Sequence, residues 1–213
     1  MYLGTGKKGE NGILVTNEKE LNQALLDFKV HIESMDEPYK SMYQYYADNT
    51  ALVEDPYRNI YVGYDRKRDV LVFNRQALSD AKNQLPGNDI FSHELAHRYD
   101  NNITKSWNND NFTSALKNAE AMYLAHPEKY KQLYASNTDL SPAFQDILSA
   151  ISRDEINTQY GHDASYWNSR HISTDTFANL SVLYSNRIKI PEFGGLLDGV
   201  VQAYEQMIEK GVS

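Results

Sequence analysis

The chain contains no cysteine, which excludes a disulfide framework, a thiolate metal site and a cysteine nucleophile. Any metal must therefore be held by histidine and carboxylate. Eleven glycines and six prolines in 213 residues are too few for a linker or a fibrous chain. The 41% hydrophobic content is too high for disorder. No apolar run approaches the roughly 20 residues that cross a bilayer. The opening MYLGTGKKGENG lacks the apolar core of a signal peptide. Neither a membrane partner nor an export signal is expected. Lys and Arg total 21 against 29 Asp and Glu, a net charge of −8, so no nucleic-acid partner is expected, because phosphate neutralisation needs clustered cations.

What the chain does have is 16 tyrosines and a succession of helical patterns. Residues 1–17 read as a loose lead-in. Leu21, Leu25, Phe28, Ile32 and Met35 recur at helical spacing and predict a helix from Glu18 to Met35, with Asn17 and Glu20 as a capping box. A second helix starts near Pro38 and carries Tyr39, Met42, Tyr43 and Tyr46. Its tyrosines read as packing residues with their hydroxyls at the rim, the alternative being the lining of a peptide groove. The period then changes. Residues 59–64 and 69–74 are short β-branched and aromatic runs on either side of a charged turn, a hairpin signal. Pro86-Gly-Asn-Asp89 precedes a predicted helix to Asp100. Further helices are expected over 113–124, 127–134, 142–151, 174–184 and 196–210, with Gly211 just past the last and Ser106–Asn111 as a loop. No composition shift splits the chain. The expected fold is a single α+β domain over 1–213, mostly helical, with a small sheet beside the 89–100 helix.

The chemistry concentrates in Phe91-Ser-His93-Glu94-Leu-Ala-His97-Arg-Tyr-Asp100. Four residues apart on a helix, His93 and His97 project from one face and can grip one cation. Glu94 stands beside that cation without having to ligate it, the position of a general base in an HExxH motif. Zinc suits imidazole and carboxylate donors. The bland alternative is a surface helix whose imidazoles face solvent. Asp100, one turn on, could orient a ligand histidine.

A catalytic zinc takes a third protein ligand and keeps one position open. His31 and His126 read as structural or exposed. The stretch Gly161-His162-Asp163-Ala-Ser-Tyr166-Trp167 through His171 to Asp175 is richer in ligating and donating side chains. His162 and Tyr166 are the candidate oxyanion donors for a tetrahedral intermediate. His171 could take the place of His162 or serve as a ligand.

The ordered blocks HELAH, DILSAI, GHDASYW and TDTFANLSVLYS resemble the zincin-type domain of phage minor head (head-morphogenesis) proteins and related mobile-element proteins. The resemblance spans about residues 70 to 185. The chain is more distantly similar to the catalytic domain of anthrax lethal factor. In those proteins the last block reads Glu-x-Phe-Ala at the start of a helix, and in lethal factor its Glu is the third zinc ligand. By that resemblance Asp175 takes the ligand's place, one methylene shorter. Its alternatives are a helix-capping role for Asp175 beside Ser173 and Thr174, or a ligand supplied by Glu155 or His162.

The resemblance implies a zinc-dependent hydrolase of peptide bonds. Its metal residues would be His93, His97 and Asp175, its catalytic residues Glu94, His162 and Tyr166, and its partner a protein or peptide substrate. The location implied is bacterial cytoplasm or the virion. The rival is a zincin-like assembly module without catalysis, associated with phage structural proteins. A protease effector carried by a mobile element is a third reading. Fold alone does not choose among them.

Overall fold

The computed structural model describes residues 2–3, 19–58, 62–74 and 87–212. Asn17 of the expected capping box, residues 59–61 of the first hairpin run and Pro86 lie outside them. The fold is α+β and mostly helical, as the patterning predicts. The chain divides into two compact units, Met1–Tyr99 and Asp100–Ser213.

The first unit carries the sheet. Helices α1 (Lys19–Ser34) and α2 (Tyr39–Asn49) precede strands β2 (Ala51–Glu54), β3 (Val62–Asp65) and β4 (Val70–Phe73), and α3 (Asn88–Tyr99) closes the unit. The spatial order is β1-β2-β4-β3, where β1 is Tyr2–Leu3. β3 and β4 form the expected antiparallel hairpin, with Tyr64 opposite Leu71 and Gly63 opposite Val72. Two strands escape the sequence reading. β2 pairs in parallel with β4, and Tyr2–Leu3, read as loose lead-in, pair in parallel with β2. Both are too short to show a period of two. They are strands because a neighbour supplies their hydrogen bonds, not because of their own residues.

Leu25, Phe28 and Ile32 of α1, Tyr43 of α2, Leu52 and Leu71 of the sheet and Phe91 of α3 are all buried. The rings of Phe28 and Phe91 lie 5.3 Å apart. Three of the four tyrosines of α2 are packing residues, as expected of them: Tyr39, Tyr43 and Tyr46 are buried while Tyr45 is exposed, and Arg98 sits 5.2 Å over the Tyr46 ring. The same guanidinium donates to both carboxylate oxygens of Asp69 at 3.0 and 2.7 Å and to Thr50 Oγ1 at 2.5 Å. One side chain on α3 thus ties the hairpin turn to the end of α2.

The second unit is all helical: α4 (Asp110–Ala125), α5 (Pro127–Ala135), α6 (Pro142–Ser152), α7 (Ser169–Ser185) and α8 (Asp198–Val212), entered through a π-helical turn Asp100–Thr104 and a 3-10 turn Ser106–Asn108. The expected loop at 106–111 is therefore mostly helical turn. Caps set several boundaries. Asn109 accepts from Phe112 N, and Ser141 accepts from Phe144 N with Pro142 in the first turn. Gly211, expected just past a helix end, lies inside α8. Phe112, Tyr123, Phe144, Ile147, Phe177 and Tyr204 are completely buried at the centre of this unit. No helix among the described residues is long and apolar enough to cross a membrane.

The turn joining β3 to β4 is held by one carboxylate. Asp65 accepts from the backbone N–H of Lys67 and Arg68 and from the guanidiniums of Arg58 and Arg68. Burial acts to raise its pKa, but the bonds from Arg68 and the charges of Arg58 and Arg68 outweigh burial and hold it below the ordinary aspartate value. A pKa depressed by folding stabilises the native state above the ordinary value of 3.8, and the stabilisation is lost as pH falls below it. Asp65→Asn should accordingly lower the unfolding free energy at pH 7 by about 1 kcal/mol and flatten its decline in acid. Urea titrations between about pH 7 and pH 2 measure both effects. An unchanged acid slope in the variant would remove Asp65 from this role.

Candidate functional site

α3 begins where Gly87 accepts the first helical hydrogen bonds, from Ile90 and Phe91. Asp89 in its first turn and His97 and Arg98 in its last complement the helix dipole. Phe91, Leu95 and Tyr99 are buried along one side. At about 100° per residue His93 and His97 fall on the opposite side, half-buried. Their Nε2 atoms are 3.0 Å apart and their rings nearly perpendicular at 87°.

This spacing tests the pair against zinc. Two nitrogens each about 2.0–2.1 Å from a tetrahedral zinc stand about 3.3 Å apart. The observed separation is within a few tenths of an ångström of that, so the pair fits the ion with little movement.

Glu94 points toward the sheet. Its Oε2 accepts from the backbone N–H of Tyr64 at 2.6 Å. Tyr64 belongs to β3, the edge strand, which has β4 on only one side. Among the described strands β3 pairs with β4 alone, and the Glu94 carboxylate takes the Tyr64 amide. This bond fixes one oxygen of Glu94 and leaves Oε1 available for proton transfer.

The second unit gathers the other candidates. His162 Nδ1 is 3.0 Å from Asp146 Oδ1, and Asn179 Nδ2 donates to Asp146 Oδ2 at 2.7 Å. Asp146 and Asn179 are buried, on α6 and α7. Tyr166 donates its hydroxyl to Asp175, 3.2 Å from each carboxylate oxygen. The Tyr166 ring is stacked between those of His162 and His171, at 4.0 and 4.4 Å. Trp167 stands edge-on to the first two and donates to Ser149 Oγ and the His162 carbonyl. Ligand atoms of Asp146, His162 and Asp175 lie within 4.8 Å of one another.

The capping reading of Asp175 is corrected by the start of α7. The helix begins at Ser169, and Asn168 caps it by accepting from the N–H of Arg170 and His171. Asp175 is therefore in the second turn, only 2% exposed. Ser173 and Thr174 bond back to the carbonyls of Ser169 and His171 and cap nothing. The sequence reading places the helix start five residues late because Ser169 to Thr174 is polar and β-branched, a poor helical signature.

The remaining candidates have ordinary roles. Glu155 is exposed and accepts from Tyr123 Oη at 3.1 Å. Burial, followed by this bond, pushes the Tyr123 hydroxyl well above the usual tyrosine range. Asp100 is fully buried and accepts from Thr104 Oγ1, Ser106 N and Ser106 Oγ, organising the turn after α3. His31 is half-buried beside Phe28, and His126 is exposed between α4 and α5. Asp146 and Asn179 are the residues that sequence reasoning misses. The available signal is an aspartate inside the apolar run of α6 and an asparagine one turn after Asp175.

No family model, curated protein or solved structure matches the chain.

Gly161 decides where His162 can be. A Cβ at this position would fall far inside van der Waals contact with Ser149 and Thr158. Ser149 is fully buried in α6 and Thr158 is buried in the same loop as Gly161, so the loop must move instead. Gly161→Ala should displace His162 from Asp146 and shift the indole N–H resonance of Trp167, while far-UV circular dichroism stays unchanged. An unperturbed Trp167 resonance would mean that the loop tolerates the methyl group and that Gly161 does not position His162.

Proposed function

We propose that the protein is a zinc-dependent peptidase whose metal is held by His93, His97 and Asp175. The observation that carries this reading is the convergence of the two imidazole Nε2 atoms, 3.0 Å apart on one helical turn, with the Glu94 carboxylate fixed beside them by the Tyr64 amide. The chemistry zinc supplies when bound is polarisation of a carbonyl and a lowering of the pKa of water to about 7. Glu94 takes the proton of the attacking water on Oε1 and delivers it to the leaving amine. Its other oxygen stays on Tyr64, which holds the base in one orientation throughout. His162, oriented through Nδ1 by Asp146, presents Nε2–H to the oxyanion in its imidazolium form. Tyr166 is the second donor, and its hydroxyl must turn away from Asp175 to act.

The place of Asp175 in the ligand set rests on the sequence resemblance, with two structural supports. Its carboxylate is buried, and a buried carboxylate needs a cation or donors around it. It is also held in a fixed orientation by Tyr166. The same bonds favour the rival reading, an assembly module without catalysis, because the carboxylate already has a donor in the Tyr166 hydroxyl.

Metal content and turnover separate these readings. The zinc-loaded, dialysed protein should contain about one zinc per chain, the stoichiometry of a single site. His93→Ala and Asp175→Ala should each lose most of it, whereas Glu155→Ala should keep it. Glu94→Gln should retain the zinc and lose peptide hydrolysis by a factor of at least about a hundred. Elemental mass spectrometry and a peptide-library cleavage assay measure the two quantities. Hydrolysis surviving in Glu94→Gln would end the general-base assignment. Zinc bound by the natural chain without any cleavage would favour the assembly module.

A further inference from the structure

α7 has a second face that the proposed chemistry does not use. Ser169, Arg170, Ile172 and Ser173 line a cavity of about 480 Å³ on this face, together with residues of α4, the end of α6 and Trp107. By helical angle Arg170 and Ser173 lie about 120° or more from Asp175 and Asn179, while Ile172 borders the face of those two. All of its walls belong to the second unit. The volume is that of a small-molecule site and far exceeds an inorganic anion.

The lining is selective in charge and shape. Leu116, Ile151 and Ile172 give it buried aliphatic walls. Lys117, Arg153 and Arg170 bring three cations against one carboxylate, Glu120, in a chain whose net charge is −8. Glu120 pairs with Arg153 at 2.5 Å and raises its pKa, so that pair is internally neutral. Lys117 is exposed, with no carboxylate partner among the described residues. The guanidinium carbon of Arg170 lies 4.0 Å over the centre of the Trp107 ring. A cation held on an aromatic ring keeps its N–H donors for hydrogen bonds, so the contact with Trp107 places the Arg170 charge at the cavity without using those donors. The first amides of α7 do not compete for this role, because Asn168 already accepts from them.

From this arrangement we infer that the cavity is a binding site for a small organic anion with a flat apolar body. Its charged oxygens meet Arg170 and Lys117, and its body lies against Trp107 and the aliphatic wall. The site is independent of the metal residues, and the inference stands or falls without the peptidase reading.

The test uses the full chain with three probes: 2-naphthoate, its neutral analogue 2-naphthamide, and inorganic phosphate. Calorimetry gives the affinities. The chain has two tryptophans, so the indole N–H resonance of Trp107 is identified by its persistence in Trp167→Phe. Naphthoate should saturate and shift that resonance, and the other two probes should bind at least roughly tenfold more weakly. Arg170→Gln should weaken naphthoate by roughly tenfold, and Lys117→Glu, on the exposed side of α4, by at least about threefold. His93→Ala should leave the affinity unchanged. Failure of naphthoate to saturate overturns the site, and so does equal binding of the amide. Phosphate binding as tightly as naphthoate overturns the apolar body. If Arg170→Gln does not fold, Lys117→Glu carries the test, and an unchanged affinity there overturns the charge assignment.

Discussion

A single turn of α3 has to satisfy two neighbours at once, and the candidate chemistry of the first unit depends on that constraint. Phe91, Leu95 and Tyr99 are buried on one side of the helix. That burial fixes its rotation, because about 100° per residue leaves no freedom once three large side chains are committed. His93 and His97 are then forced onto the other side, and Glu94 onto the flank that faces β3. The Tyr64 amide completes the arrangement. β3 is at the edge of the described sheet, and a strand N–H that faces a helix needs an acceptor, which Glu94 supplies. The carboxylate that would act as a base is thus also the group that satisfies the sheet.

The second unit solves a comparable problem with buried charge. A carboxylate removed from water must be hydrogen-bonded on its lone pairs. Asp146 meets this requirement with Asn179 and His162, and Asp175 meets it with Tyr166. The aromatic rings then stack in series, His162 on Tyr166 and Tyr166 on His171. Orientation passes from the helices to the loop through these bonds and stacks. The loop between α6 and α7 needs no regular structure of its own, because Gly161 lets it approach α6 and Trp167 donates its indole N–H across the same gap.

α7 carries two kinds of chemistry on separate faces. One face holds Asp175 and Asn179, both buried carboxylate or amide groups in polar networks. The other opens onto a cavity with aliphatic walls, a cation held on a tryptophan and an excess of positive charge. Arg170 stands roughly 140° and 180° around the helix from Asp175 and Asn179, so the cation and the buried carboxylate meet different neighbours. A ligand at the second face would touch the first turn of the same helix that presents Asp175.

The sequence by itself determined the helical character, the hairpin at the charged turn and the placement of His93, Glu94 and His97 on one helical turn. Each of these follows from spacing within a few residues, and local spacing is what a sequence displays. The tertiary structure alone decided the rest. β2 and Tyr2–Leu3 are strands only because a neighbour pairs with them. α7 starts at Ser169 because Asn168 caps it and the core buries Ile172, despite a polar, β-branched first turn. Asp146 becomes a partner of His162, sixteen residues away, only when α6 and the following loop pack together. The physical reason is common to all three. In each case burial or hydrogen bonding between elements adds the free energy that decides the outcome, which no local pattern records.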